Sequence, residues 1–479
     1  MRRTLGGGVI GGLLAILAAC TPIADRPISL PPVPTPRAVE SATEGVGSAG
    51  IGDPYFPGYG NGGFDVEDYD LGIRMDAAGR IEGVATITAR AKVRLLRFNL
   101  DLRGMTVSTV RVGAAEAAFR RDGDELIIEP KSPLAPGTSF QTIIGYAGTP
   151  APIPSVTLGR SGFHEVNGVA YMAGEPESAS TWFPVNDHPS DKATYKLSFT
   201  VPDGEQVISN GVLVKRESAN GWTTWRWEVA HPMASYLATF AIGDLQISES
   251  THKDRPVRIA IAKTITDPAV QQAVAKTPEI CDFFETYFGA YPFEAYGAIV
   301  VDDPGFNFSL ETQTRPIYPS SMVDGGDPSG VVAHELAHQW FGDSVSIARW
   351  SDIWLNEGFA TYLQWMWQEH SGGPSITDQF EREYRNELNP IWNVAPAEPG
   401  AARVFSGSVY RRGGMALHAL RLKVGDDKFF RVLRTWAEEK RDGNATTAEF
   451  VTVAERVTGQ PLRALLTDWL YDKDRPAHP

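Results

Sequence analysis

The stretch Val331–Tyr362, VVAHELAHQWFGDSVSIARWSDIWLNEGFATY, decides how the rest of the chain is read. It holds His334, Glu335 and His338, then eighteen intervening residues, then Glu357. On a helix, positions i and i+4 share a face, so His334 and His338 can aim two imidazole nitrogens at one point. Glu335 lies about 100° further round and can overhang that point without ligating it. This is H-E-x-x-H, the pattern in which two histidines bind zinc and the glutamate serves as general base. A catalytic zinc takes three protein ligands and keeps one position for water. Glu357 is the obvious third, since it opens an expected second helix, Asn356–Gln368, after the break at Gly342–Ser344 ends the first. Two surface histidines would also satisfy the spacing. Apolar Val331, Val332, Leu336 and Trp340 argue instead for a buried helix, where His and Glu need partners.

HELAHQWFGD followed by WLNEGFATY closely resembles the aminopeptidase N family of zinc metallopeptidases, whose pattern is HExxH, eighteen residues, then Glu. The resemblance implies one zinc ion per chain on His334, His338 and Glu357, Glu335 as base, and hydrolysis of the N-terminal peptide bond of peptide substrates. Other stretches carry it further. Gly174–Ala193, GEPESASTWFPVNDHPSDKA, reads as a long loop from its prolines and polar residues. On the family match Glu175 falls where the substrate's free amino group is bound, while Asp187, His188 and Pro189 read as loop structure.

Phe306–Thr314, FNFSLETQT, alternates like an edge strand. There the family places a Gly-Ala-Met-Glu-Asn motif that pairs with the bound peptide and sends a carboxylate to its N-terminus. Glu311 matches that carboxylate, and Ser309 and Leu310 match pairing positions. Phe308, Ser309, Leu310 and Thr312 replace the family's Gly, Ala, Met and Asn, which alters the first side-chain pocket. Tyr410-Arg411-Arg412-Gly413 fits a family Tyr whose hydroxyl donates to the developing oxyanion. His418, further along the same expected helix, reads as packed. Larger members continue into a long helical C-terminal domain; the resemblance here covers Phe64–Tyr471, a short form.

The rest of the 479-residue chain supports this reading. With 42% hydrophobic and 21% charged residues it is ordinary globular material. A formal charge of −14 argues against nucleic-acid binding, which needs a basic patch. Arg2 and Arg3 precede an apolar run from Val9 to Ala19, and Leu17-Ala18-Ala19-Cys20 resembles a bacterial lipoprotein signal. Residues 1–20 are therefore expected to be a signal peptide, with Cys20 lipidated and the protein exported and held on the outer face of a bacterial membrane. The alternative is an ordinary signal peptide cleaved nearby. With Cys20 lipidated, Cys281 is the only thiol left, so no intramolecular disulfide is expected.

Residues 21–63, rich in Pro, Gly and Ser, read as a tether. Residues 64–248 alternate with period two, as in Tyr195, Leu197, Phe199 and Val201, and Asn220-Gly221 marks a hairpin. Residues 249–479 turn helical, starting with one helix over Val270–Phe288. The expected fold is α+β and multidomain: an antiparallel β domain, then a mostly helical, thermolysin-like zinc peptidase domain with a small sheet, monomeric. Two other functions fit the ligand set: a thermolysin-like endopeptidase, and an inactive surface lipoprotein that only binds. Cleavage of free versus blocked N-termini separates all three.

Overall fold

The computed structural model describes residues 45–155, 158–323 and 328–479. The expected signal segment 1–20, with Cys20, and residues 21–44 lie outside the described residues. Among the described residues no helix is long and apolar enough to cross a membrane.

The period-two pattern becomes strands. In Ala193–Pro202 the residues Tyr195, Leu197, Phe199 and Val201 turn inward while Lys196 faces out, as a pleat with one dry face requires. This strand sits in an eight-stranded sheet with the order Val212–Ala219, Trp222–Met233, Ala193–Pro202, Phe64–Met75, Ile81–Ala91, Ser139–Gly148, Thr106–Val112, Ala115–Glu116. All neighbours are antiparallel except one seam, where Thr194–Thr200 pairs in parallel with Asp68–Arg74. Asn220 and Gly221 both take positive φ, 55° and 82°, and close the two-residue hairpin between the first two strands. A four-stranded sheet built on Leu95–Asp101 and a five-stranded sheet built on Gly159–Val166 and Val169–Ala173 complete the β domain. Trp182, Phe183 and Trp227 lie in its core.

Two expectations on domain limits are corrected here. The tether was expected to run to residue 63, yet 45–63 is seated on the body. Gly45–Val46 pairs in parallel with Leu95–Asp101, and Gly62 N–H donates to the Ser48 carbonyl. The glycines that suggest a linker serve close approach instead: a Cβ on Gly47 would lie 2.7 Å from the Gly62 carbonyl oxygen, and one on Gly60 2.7 Å from the His188 Cβ. The second correction concerns residue 248, which falls inside a strand, Leu245–His252. That strand pairs with Arg255–Ala262, which pairs on to Tyr296–Val301 and then Ile317–Pro319. The small catalytic sheet therefore starts at Leu245.

Helices pack against that sheet. The single helix expected over 270–288 is two, α1 (Pro268–Ala275) and α2 (Thr277–Phe288). Pro278 has no N–H to continue the ladder of α1, so the chain restarts at Thr277. Cys281 is buried inside α2. The HExxH segment forms α3 (Ser329–His338) and the following run forms α4 (Trp354–His370). After α5 (Ile376–Arg385), a π-helical turn over Ser408–Arg412 leads into α6 (Gly413–Val424). Helices α4 and α6 meet backbone to backbone: a Cβ on Gly358 would stand 2.9 Å from Gly413 Cα, and the reverse distance is also 2.9 Å. Gly358 directly follows Glu357, and Gly413 lies three residues after Tyr410. This contact therefore fixes how close those two side chains come.

Two predictions follow from packing. Gly358→Ala places a methyl group on backbone that cannot swing aside, and should cost about 1–3 kcal/mol in a denaturant melt, with loss of turnover beyond that of an exposed Gly→Ala control. His418 lies between Phe380 and Tyr362, at 4.9 and 6.3 Å between ring centroids, and burial lowers it to about 4. A histidine whose folded pKa lies below its unfolded value is protonated more readily in the unfolded chain. Its contribution is complete above about pH 6.5 and lost as pH falls towards 4. The slope of stability against pH in that window should be shallower in His418→Leu than in the wild type.

Candidate active site

Helix α3 brings His334 and His338 to one face, and α4 lays Glu357 against them. One oxygen, Glu357 Oε2, lies 3.2 Å from His334 Nε2 and 3.4 Å from His338 Nε2. The unused ring nitrogens are held from behind. His338 Nδ1 faces the Phe341 carbonyl at 3.1 Å, and His334 Nδ1 faces Gln364 Oε1 at 3.2 Å. Both partners are acceptors, so each Nδ1 carries a proton and Nε2 is the ring atom that faces Glu357, the side from which metal-binding histidines ligate. Ligands about 2.0–2.1 Å from a tetrahedral zinc stand about 3.3 Å apart, which the observed spacing fits.

The electrostatics make the same demand. Glu175, Glu311, Glu335, Glu357 and Asp343 are all buried around the two imidazoles. Burial disfavours a charged imidazole, yet Glu311 and Glu357 hold His338 well above the usual histidine range, to about 10. Burial raises Glu335 far above the usual carboxylate range; His338 opposes the shift, and Glu311 and Glu357 add to it. Side chains alone leave the site over-supplied with negative charge, the condition a divalent cation relieves.

Each residue singled out in the sequence can now be located. Glu335 follows His334 on α3 and is buried beside the histidines. Tyr410 stacks towards His334 at 6.0 Å between ring centroids. Burial, with Glu357 and Glu175 nearby, pushes its hydroxyl far above the usual phenol range, so it stays a donor. Glu175 is buried in its loop, and its Oε1 has no hydrogen-bond partner. Burial first, and then Glu311, raises its carboxyl. Asp187 and His188 serve the loop, Asp187 accepting from Ser180 N–H and the Ser235 hydroxyl.

The 306–314 segment departs from expectation. It forms no strand, only an isolated bridge between Leu310 and Ile317, because a tight turn folds it back: Arg315 N–H donates to the Thr312 carbonyl, and Thr314 has φ 67°. Leu310 gives both backbone groups to Ile317 and buries its side chain. Its expected role in pairing with a substrate is therefore corrected: it belongs to the core. Ser309, part-buried, directs its hydroxyl to Met322 Sδ at 3.4 Å.

Three supports were missed in the sequence. The Tyr236 hydroxyl donates to Glu311 Oε1 at 2.9 Å. Gln339 Nε2 donates to the Glu311 carbonyl at 2.9 Å, while its Oε1 accepts from Thr314 N–H at 2.8 Å. Gln364 backs His334. The adjacency of Gln339 to His338 was the one available signal. Tyr236, in an apolar run, offered none.

The chain matches the Peptidase M1 N-terminal domain over residues 66–237 and the Peptidase family M1 domain over residues 272–469. An M1 zinc metallopeptidase from Deinococcus radiodurans superposes with a TM-score of 0.81 at 28% identity, over 90% of this chain and 98% of that one. A variant of it bound to a Tyr-ser-ala substrate gives 0.80 at 29% identity, over 90% and 99%. Human glutamyl aminopeptidase is 28% identical over 64% of this chain and 34% of its own length. Probable aminopeptidase 1 of Saccharolobus solfataricus is 24% identical over 87% and 54%. The chain thus spans about a third of the curated glutamyl aminopeptidases it matches. Taken with the two-histidine, one-glutamate cluster, these matches show that the chain belongs to peptidase family M1.

Proposed function

We propose that this protein is a zinc aminopeptidase that removes the N-terminal residue of peptides. The observation that carries the reading is the pairing of a metal-ligand set with two further buried carboxylates, Glu175 and Glu311, one of which keeps an oxygen without a partner. An endopeptidase needs the first group and not the second. Buried carboxylates without a counter-charge are costly, and a substrate's terminal ammonium supplies one.

His334, His338 and Glu357 would hold a zinc ion, which would supply Lewis acidity to the scissile carbonyl and to a water molecule. Glu335, buried next to His334 on the same helix, would take the proton from that water as its oxygen bonds to the carbonyl carbon. The Tyr410 hydroxyl donates to the carbonyl oxygen as negative charge gathers there, a contribution on the order of 3 kcal/mol for one such donor. The C–N bond then breaks, and Glu335 returns the proton to the leaving amine. Glu175 and Glu311 accept from the ammonium group and make the enzyme count from that end. The solved relative bound to a Tyr-ser-ala substrate supports peptides as the substrate class.

Purified protein should hydrolyse aminoacyl anilides and leave their N-acetyl forms intact. Chelator should abolish turnover, and Glu335→Gln should lower kcat by about 100-fold or more with zinc content unchanged. Cleavage of the blocked substrates alone would establish an endopeptidase instead. We also propose that Cys20 carries a lipid anchor, on the strength of Leu17-Ala18-Ala19-Cys20. In cell fractionation the wild type should sediment with membranes and Cys20→Ala should not; a soluble wild type would refute the anchor.

A further inference from the structure

Glu311 is gripped by two buried residues. Gln339 holds its carbonyl, and the hydroxyl of the fully buried Tyr236 holds Oε1 at 2.9 Å. The Tyr236 ring meets Trp350 edge-on at 5.8 Å between centroids. Trp350 opens the short turn that runs into α4, the helix carrying Glu357. Its backbone N–H donates to Asp53 Oδ2 at 2.8 Å.

Asp53 belongs to the segment read from its composition as part of a tether. It is buried, and it accepts from four donors. Tyr55 N–H and Phe56 N–H reach Oδ1 at 2.8 and 2.9 Å. Trp350 N–H reaches Oδ2, as does His188 Nε2 at 3.2 Å. The imidazole is the donor there, because His188 Nδ1 accepts from Ser190 N–H at 3.1 Å and so holds no proton. One carboxylate thus joins the strap itself, the Glu175-bearing loop 174–192 and the start of α4. Around it, Phe56 stacks on Tyr59 at 4.9 Å and stands edge-on to Trp350 at 5.8 Å. The Tyr55 hydroxyl accepts from Gly400 N–H at 3.1 Å, on the stretch leading to Tyr410.

We propose that Asp53 and Tyr236 are positioning residues in one line of contact, Asp53–Trp350–Tyr236–Glu311, by which the 45–63 strap sets the carboxylate that receives the substrate's ammonium group. The proposal rests on the aminopeptidase reading above. With a donor on Oε1, Glu311 has one orientation and presents its other oxygen to the ligand. Without that donor the carboxylate can turn, and a ligand must order it on binding. Trp350 backs the Tyr236 ring, and it stays in place because its backbone N–H has a charged, buried acceptor.

The test uses the zinc-loaded full chain with Tyr236→Phe, Asp53→Asn and the double variant. Tyr236→Phe removes a single oxygen. Asn at position 53 offers one acceptor oxygen in place of two, so two of the four donors lose their acceptor. Three quantities are read: KM and kcat for an aminoacyl anilide, zinc per chain, and the Kd of an amino-acid amide against that of its N-acetyl form. Each single variant should raise KM and the free-amine Kd about tenfold, the loss of one hydrogen bond to a charged group. Zinc content, kcat and the N-acetyl Kd should hold. The double variant should be no weaker than the weaker single, since both act on one carboxylate. Equal weakening of both ligands, an effect confined to kcat, or fully additive losses would overturn the proposal. Should Asp53→Asn fail to fold, Trp350→Phe, which keeps the backbone N–H bonded to Asp53 and thins the ring behind Tyr236, reads the next contact in the line with the same expected outcome. A wild type that ignores aminoacyl anilides sinks the aminopeptidase reading alone, because the ratio of the two Kd values needs no turnover.

Discussion

Everything in the catalytic half is arranged to tolerate negative charge that its own side chains do not balance. Five buried acids crowd two imidazoles, and at an effective dielectric of about 20 each like-charged pair near 5 Å costs about 3 kcal/mol. A fold carries few such terms on a net stability of about 5–15 kcal/mol, so the acids take up protons, as burial favours, or meet cations. One is the metal that His334, His338 and Glu357 fit; the other is the ammonium group that Glu175 and Glu311 would meet. The rigid parts follow from this demand. Gln364 and the Phe341 carbonyl stop the imidazoles from turning, and the Gly358–Gly413 contact brings Tyr410 within reach of the same point.

The metal ligands were legible because helical spacing is a local rule: four residues always return to one face, and eighteen suffice for a break and a second helix. Period-two alternation exposed the strands for the same reason. Glu175, Glu311 and Tyr410 carry no such signature, and only resemblance to a family singled them out. Tyr236 and Asp53 escaped altogether, since their partners lie 75 and 297 residues away in the chain and no local pattern encodes a contact at that range. The strap was misread because glycine and proline are common both in linkers and where backbones must nearly touch; composition alone does not separate the two. Leu310 was misassigned because an alternating pattern cannot show which neighbour takes a backbone's hydrogen bonds.

The β domain and the catalytic domain share one site in an uneven way. The ligands all lie on α3 and α4, so the metal centre belongs to the helical half. The groups that would select a free N-terminus are split: Glu311 comes from the catalytic half, whereas Glu175 and Tyr236 come from the β domain. On the proposed reading, chemistry would sit on one body and recognition would span both.

The parallel seam between Phe64–Met75 and Ala193–Pro202 has a consequence for how the chain reaches this state. Three junctions in the eight-stranded sheet join consecutive strands, but this one must wait until residues 76–192, the longest excursion in the sheet, have been gathered between its two halves. The entropy of closing so long an excursion grows only with the logarithm of its length, so the seam adds little to the equilibrium burden. Its weight falls on the rate, because distant partners must meet before any contact between them is rewarded. A sheet of this connectivity is slow to nucleate and, once closed, no easier to open than its hairpins.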